Sequence, residues 1–397
     1  MAAVERDVNE PTGDGPKGTA LLKVLKHLNW RIASTVGVLA VLSIVFDLTS
    51  DGIFFDPRNL SLLLRQASLV AILAAGVSIL MIMAEIDLSI GGCVLLTGAV
   101  AAKLSYDYGI PTWVCVVAAL AAGGVLGSWN GFWVVRLGVP SFVVTLGGLL
   151  GFAGLTLLWT NAATVGPLPT DFVDLSEAFI PKGASYAILI AIGVALVVMA
   201  LRRHQSESRR HGAELAGLAV RLAAIAVTIG LMLWITGGYE GLPAAVVWVF
   251  AVGAVFTFIA TQTKFGRNAF MIGANREAAR LAGISVGRHI FLGFVLMGML
   301  GGVSGVLLDA RLASSSPSAT SYLELNAIAA AVIGGTSLMG GVGTIPGAMV
   351  GALLLAAIDN GMNLNNVNSF LQQVVKGLIL LSAVALDQWA NRRQRGV

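Results

Sequence analysis

The chain has 397 residues, 56% of them hydrophobic and only 12% charged, with a formal net charge of +4 and a mean hydropathy of +0.84. Soluble domains carry roughly a quarter charged residues, so about half of the polar surface that water demands is missing. That balance excludes a soluble globular protein. The basic residues are scattered in loops between apolar runs, which also argues against a nucleic-acid-binding face, and no nucleic-acid partner is expected.

Residues 1–31 are polar and lack the apolar centre of a cleavable signal, so they read as a cytoplasmic tail. Twelve apolar runs follow, at about 32–50, 67–84, 86–105, 113–135, 141–160, 184–201, 219–236, 244–263, 290–308, 322–338, 346–363 and 370–388. In lipid such runs satisfy their backbone amides only as helices, so the fold class is all-α, a polytopic transmembrane helical bundle. Cys93 and Cys115 lie in or beside spans with no framework spacing, and neither a disulfide nor a metal site is expected.

Between the second and third runs, "AEIDLSIGG" sets Glu85 and Asp87 in an apolar context. Asp87 can cap the helix that follows, either inside the bundle or at the level of the lipid headgroups. Small residues then recur four apart at Gly123, Gly127 and Gly131, at Gly147 and Gly151, at Gly301 and Gly305, and at Gly343, Gly347 and Gly351. That spacing lets helix backbones approach closely. The stretch "VIGGTSLMGGVGTIPGAMVG", Val332 to Gly351, breaks one long apolar run with paired glycines and Pro346. Broken helices commonly line a pathway, and this break lacks the pattern of a nucleotide loop.

Basic residues cluster in alternate loops. They are Arg136; Arg202, Arg203, Arg209 and Arg210; Lys264, Arg267, Arg276, Arg280 and Arg288; and Arg392, Arg393 and Arg395. Lys17, Lys23, Lys26 and Arg31 precede the first run. With an even span count all fall on one side, so both termini, including the tail at 391–397, are expected in the cytoplasm.

The most charged of these loops, residues 264–289, contains "GANREAARLAGISVGRH". Asn275 can cap a short helix, Glu277 suits its first turn, and Gly283 can stop it. A helix of about two turns is not stable alone in water. Its small apolar face of Ala278, Leu281 and Ala282 can rest on headgroups or in the groove of a partner protein, and both readings are open at this point.

The segment "GRNAFMIGANREAARLAGI" resembles the cytoplasmic coupling loop of ABC sugar-importer permeases of the ribose/xylose type, at Gly266, Arg267, Gly273, Asn275, Ala278, Ala279, Gly283 and Ile284. Three further stretches agree in order and spacing: "IDLSIGG", "VPSFVVTLGG" and the run from Ala327 to Leu364. The resemblance covers most of residues 55–390 and is strongest to the xylose branch, with an extra hairpin at 184–243 around "RRHQSESRRHG".

That resemblance implies a type II-like permease in the inner membrane, paired with a second copy of itself. It also implies an ABC ATPase subunit and a periplasmic sugar-binding protein as partners, besides membrane lipid. Ala278 and Ala279 would then be buried against the ATPase, with Arg267, Glu277 and Arg280 forming the polar rim. No cofactor is expected on this chain, because ATP and Mg would sit on the ATPase; the absence of GxxxxGK[ST] agrees. No enzymatic activity is expected of it.

A neutral sugar calls for hydrogen-bonding groups along the pathway. The candidates are Asp87, Ser89, Asn130, Thr145, Asn326, Thr336 and Asn360, each of which could equally serve as a helix–helix hydrogen bond. An ion-coupled secondary transporter is the competing reading. It would need ionisable groups deep in the bundle, and Glu85, Asp87, Asp309, Glu324 and Asp359 all read as near span ends. An intramembrane enzyme is disfavoured, since no HExxH occurs and His27, His204, His211 and His289 lie near the cytoplasmic flanks.

Overall fold

A computed structural model describes residues 30–211, 215–320 and 322–394. The tail up to residue 29, with Lys17, Lys23 and Lys26, and the terminal Arg395 lie outside the described residues. The helices are α1 (Trp30–Thr49), α2 (Pro57–Ile82), α3 (Ile90–Tyr106), α4 (Thr112–Arg136), α5 (Ser141–Thr160), α6 (Thr170–Glu177), α7 (Lys182–His211) and α8 (Leu215–Gly238). They continue with α9 (Ala244–Gln262), α10 (Lys264–Ala274), α11 (Arg276–Leu281), α12 (Val286–Leu312), α13 (Leu323–Ile333), α14 (Ile345–Leu364) and α15 (Ser369–Gln394). Two strands, β1 (Phe179–Ile180) and β2 (Leu242–Pro243), pair antiparallel and tie together the base of the α7–α8 hairpin.

The protein is a polytopic helical bundle. Among the described residues, 8 helices are long and apolar enough to cross a membrane: α2, α4, α5, α7, α8, α9, α12 and α14. The other four expected spans fall on shorter apolar helices, α1, α3, α13 and α15. The largest departure is the run expected at 322–338. Its helix α13 has 11 residues, about 16 Å of length against a hydrocarbon core of roughly 30 Å. Gly334 caps its end, and Gly335, Gly340 and Gly341 beyond it adopt positive φ.

The second span also differs, because α2 starts at Pro57 rather than near residue 67. Asp56 caps it by accepting from the Arg58 amide at 2.9 Å, and Pro57 occupies its first turn. The polar residues that hide this start in the sequence are each absorbed by a partner. Asn59 and Asn360 exchange two amide hydrogen bonds of 2.9 Å. Arg65 pairs with Glu177 at the end of α6 and lies over the Phe179 ring, 5.3 Å from its centre.

Three helices form the centre. The apolar windows of α2, α12 and α14 are 67%, 72% and 72% buried, against 11% for α8, which lies at the periphery. The closest seam joins α4 to α12 with backbone against backbone at its middle: a Cβ on Gly123 would strike the Gly298 carbonyl, and one on Gly127 the Phe294 carbonyl. By contrast, Gly147 and Gly151 on α5 face open space. Gly127→Val is therefore expected to destabilise the bundle by about 1–3 kcal/mol through overpacking, whereas Gly147→Val leaves the isolated chain unchanged. Thermal unfolding of the detergent-solubilised protein measures both.

Candidate functional site

Between α9 and α12 the chain forms two short helices meeting at an elbow. Thr263 caps α10 by accepting from the Gly266 amide at 3.2 Å. Asn275 then ends α10 and caps α11, its side chain accepting from the Ala278 amide at 2.9 Å. Glu277 lies in the first turn of α11 and Arg280 in the last, each favourable to the helix dipole. Gly283, at φ +78°, closes the helix, and Ile284 N–H donates to the Ala279 carbonyl at 3.0 Å. The cap and stop read from the sequence thus sit at the expected residues, while α10 is an element the sequence reading left unseparated.

The faces of this elbow differ from expectation at one residue. Ala279, expected to pack against a partner, is only 3% exposed and belongs to the chain's own core beside Ile272 and Val286. A six-residue helix needs tertiary support, and its smallest inward position supplies it. The face left outward carries Ala278, Ala282 and the 83%-exposed Leu281, with Met271 from α10. Arg267, Glu277 and Arg280 are exposed around it. Gly266 and Gly273 are packing positions: a Cβ on Gly266 would strike the Ile259 and Ala260 carbonyls, and one on Gly273 the Ile82 carbonyl and the Gly341 amide.

Gly273 therefore marks a junction of three segments: the elbow, the end of α2, and the glycine-rich stretch between α13 and α14. Gly341 N–H donates to the Ile82 carbonyl at 2.8 Å beside it. The chain leaves α2 through Ala84, at φ +60°, and Glu85 forms an ion pair of 2.5 Å with Arg276 of α11. Beyond it, Asp87 Oδ1 accepts from the Ser89 amide at 2.8 Å and the Ser89 hydroxyl at 2.6 Å. Asn130 Nδ2 of α4 donates to Ser89 Oγ at 2.7 Å, and Thr145 of α5 donates to the Ile86 carbonyl at 3.3 Å.

These residues are deep in the bundle. Asp87 is 5% exposed and Ser89 1%, so both are enclosed by the bundle rather than open at its surface. A Cβ on Gly301 of α12 would meet the Cys93 side chain, so α3 begins beside residues 297–298 of α12, about 17 Å along that helix from its start. A cavity about the size of one water molecule lies here, lined by Asp87, Ser89, Cys93, Asn130, Gly298 and Gly301. Asn130 Oδ1 is buried and accepts no hydrogen bond. Asp87 does not take the N-cap position of α3; Ser89 holds it, and Asp87 braces Ser89.

The structure thus gathers Asp87, Ser89, Asn130 and Thr145 and separates the other three candidates. Thr336 contacts Ser78 Oγ at 3.2 Å on α2, Asn360 is paired in both directions with Asn59, and Asn326 stands apart, half-buried on α13.

Besides Glu85 and Asp87, two more of the carboxylates read as near span ends are enclosed by the bundle, Asp309 at 3% and Glu324 at 8% exposure. Their unpartnered oxygens lie against Gly98 and Gly91 of α3. The spacing of those two glycines, seven apart on one helix face, was the available signal.

Gly283 to Gly287 spells Gly-x-Ser-x-Gly, but Ser285 lies between two helices and heads α12, without the strand a nucleophile elbow requires. Ser89 is the hub of the interior chain, so Ser89→Ala leaves Asp87 and Asn130 without their shared partner. A loss of about 1–3 kcal/mol in stability is expected for such buried groups, read as a lowered unfolding temperature.

Comparison with known proteins bears on this geometry. The xylose transport system permease protein XylH of Escherichia coli (strain K12) is 39% identical over 330 residues, covering 82% of each chain. The XylH of Haemophilus influenzae is 37% identical over 318 residues, 79% of this chain and 84% of the relative. The ribose import permease protein RbsC of Escherichia coli (strain K12) is 32% identical over 304 residues, 77% of each chain. No solved structure matches this chain. Residues 59–384, which take in the elbow, the interior break and the central helices, match the family described as branched-chain amino acid transport system / permease component, and the chain belongs to that family.

Proposed function

We propose that the chain is the membrane-spanning subunit of an ATP-driven importer that carries a monosaccharide, D-xylose, across the inner membrane. The observation that carries this reading is the 39% identity to a xylose permease over 82% of the chain. Both termini lie on the cytoplasmic side in this reading, and the elbow at 264–284 docks on a separate ABC ATPase that holds ATP and Mg. This chain binds no cofactor of its own. A periplasmic binding protein delivers the sugar at the opposite end, and a second copy of the chain completes the translocation unit.

The docking contact falls on Ala278, Leu281 and Ala282, rimmed by Arg267, Glu277 and Arg280. Small side chains and one protruding leucine suit a protein groove. Inside the bundle, Asp87, Ser89, Asn130 and Thr145 offer donors and acceptors to a sugar hydroxyl; the other six coupling positions, Gly266, Gly273, Asn275, Ala279, Gly283 and Ile284, shape the elbow. With its cavity limited to the volume of about one water molecule, the chain is closed around this cluster.

The enclosed carboxylates of Asp309 and Glu324 favour one competing reading, an ion-coupled carrier. Uptake separates the two: xylose uptake into vesicles is expected to need internal ATP, and uptake driven by an ion gradient without ATP would overturn the importer assignment. Leu281→Asp is expected to abolish co-purification of the ATPase while the chain inserts at its normal level. Undiminished co-purification would remove the docking assignment. Ala279→Arg is not a test of docking, because it places a charge in the chain's own core.

A further inference from the structure

The docking face of α11 is exposed, while the polar cluster around Ser89 is buried. A motion at one must reach the other through specific contacts. Arg276 is the first residue of α11, and its guanidinium pairs with Glu85 at 2.5 Å. The Arg276 side chain is 44% exposed and that of Glu85 only 6%, so the pair bridges surface and interior. A carboxylate this enclosed is costly to leave without its cation, so the two groups travel together.

The next residues extend the link without interruption. Ile86 is held by Ser141 at 3.4 Å and by Thr145 at 3.3 Å, and Asp87 enters the chain to Ser89 and Asn130. Two bonds of sequence separate the ion pair from the cluster. The turn that precedes it is bent against its own preference, with Ala84 in the left-handed region at φ +60°. Contacts hold that turn in place, Gly340 lying close against Ala84 and Gly273 against the Ile82 carbonyl. It is therefore a segment whose shape depends on where the elbow sits.

We propose that the Arg276–Glu85 ion pair is the positioning link that carries motion of α11 into the Asp87–Ser89–Asn130 cluster, coupling ATP hydrolysis on the partner to opening of the sugar path. The inference rests on the reading of α11 as the ATPase-docking helix.

The test uses the full chain purified with its ATPase, reconstituted in proteoliposomes with the xylose-loaded periplasmic binding protein supplied on the side opposite the ATPase, and has three readouts: ATPase bound, ATP hydrolysed and xylose taken up. Glu85→Gln is expected to keep the ATPase bound and hydrolysis within about twofold, while uptake falls about tenfold or more. Arg276→Met does the same, and Arg276→Lys, which keeps the cation, retains uptake within about threefold. Unchanged uptake, uptake and hydrolysis falling in parallel, or loss of the ATPase from Glu85→Gln would each overturn the link. Should Glu85→Gln fail to insert, Arg276→Met, altered at the more exposed side of the pair, decides by the same criteria. If the wild-type chain itself retains no ATPase, the docking assignment fails, a result distinct from any outcome of the variants.

Discussion

Backbone amides that leave a helix inside lipid have no water to satisfy them, and this constraint organises the whole bundle. The chain leaves regular helix at Met83–Ser89 and again at Gly334–Thr344; apart from the exposed Ala84, Met339 and Val342, both stretches are buried or half-buried. They meet at Gly273, where the Gly341 amide closes on the last carbonyl of α2. Irregular backbone is tolerated because each stretch gives the other a partner. The elbow of α10 and α11 is the third party to that arrangement, so the surface feature and the interior breaks are one construction.

Polar side chains follow the same logic. Asn59 with Asn360, Arg65 with Glu177, and Asp87 with Ser89 and Asn130 each satisfy groups that would be prohibitive alone in an apolar setting. Only some of these are candidates for contact with cargo. In a reciprocal amide pair such as Asn59–Asn360 each side chain both donates to and accepts from the other, whereas Asn130 retains a buried carbonyl oxygen without a partner beside a cavity.

Apolar runs made the helical class and most span positions legible, because twenty apolar residues permit little else in lipid. The capping chemistry at Asn275 and Gly283 was legible for the same reason that it works, since each residue type suits one backbone role. What stayed hidden depended on distant partners. The polar start of α2 looked like loop because Asn360 and Glu177 lie 301 and 112 residues away. Ala278 and Ala279 looked equivalent, since neighbouring alanines carry no sign of which one faces inward. The depth of Asp87 was open because α3 begins partway along α12, a register that no local pattern records.

The seam between α4 and α12 carries a consequence for how the bundle can deform. Where Gly123 and Gly127 lie directly on the Gly298 and Phe294 carbonyls, backbone meets backbone and leaves no room there for one helix to slide past the other. Such a contact has a single fit. The two helices behave as one stiff plank, with α3 fastened along it through Gly301 and Gly305. Any rocking of the protein must then be absorbed at the plank's edges, where side chains rather than backbone form the joints.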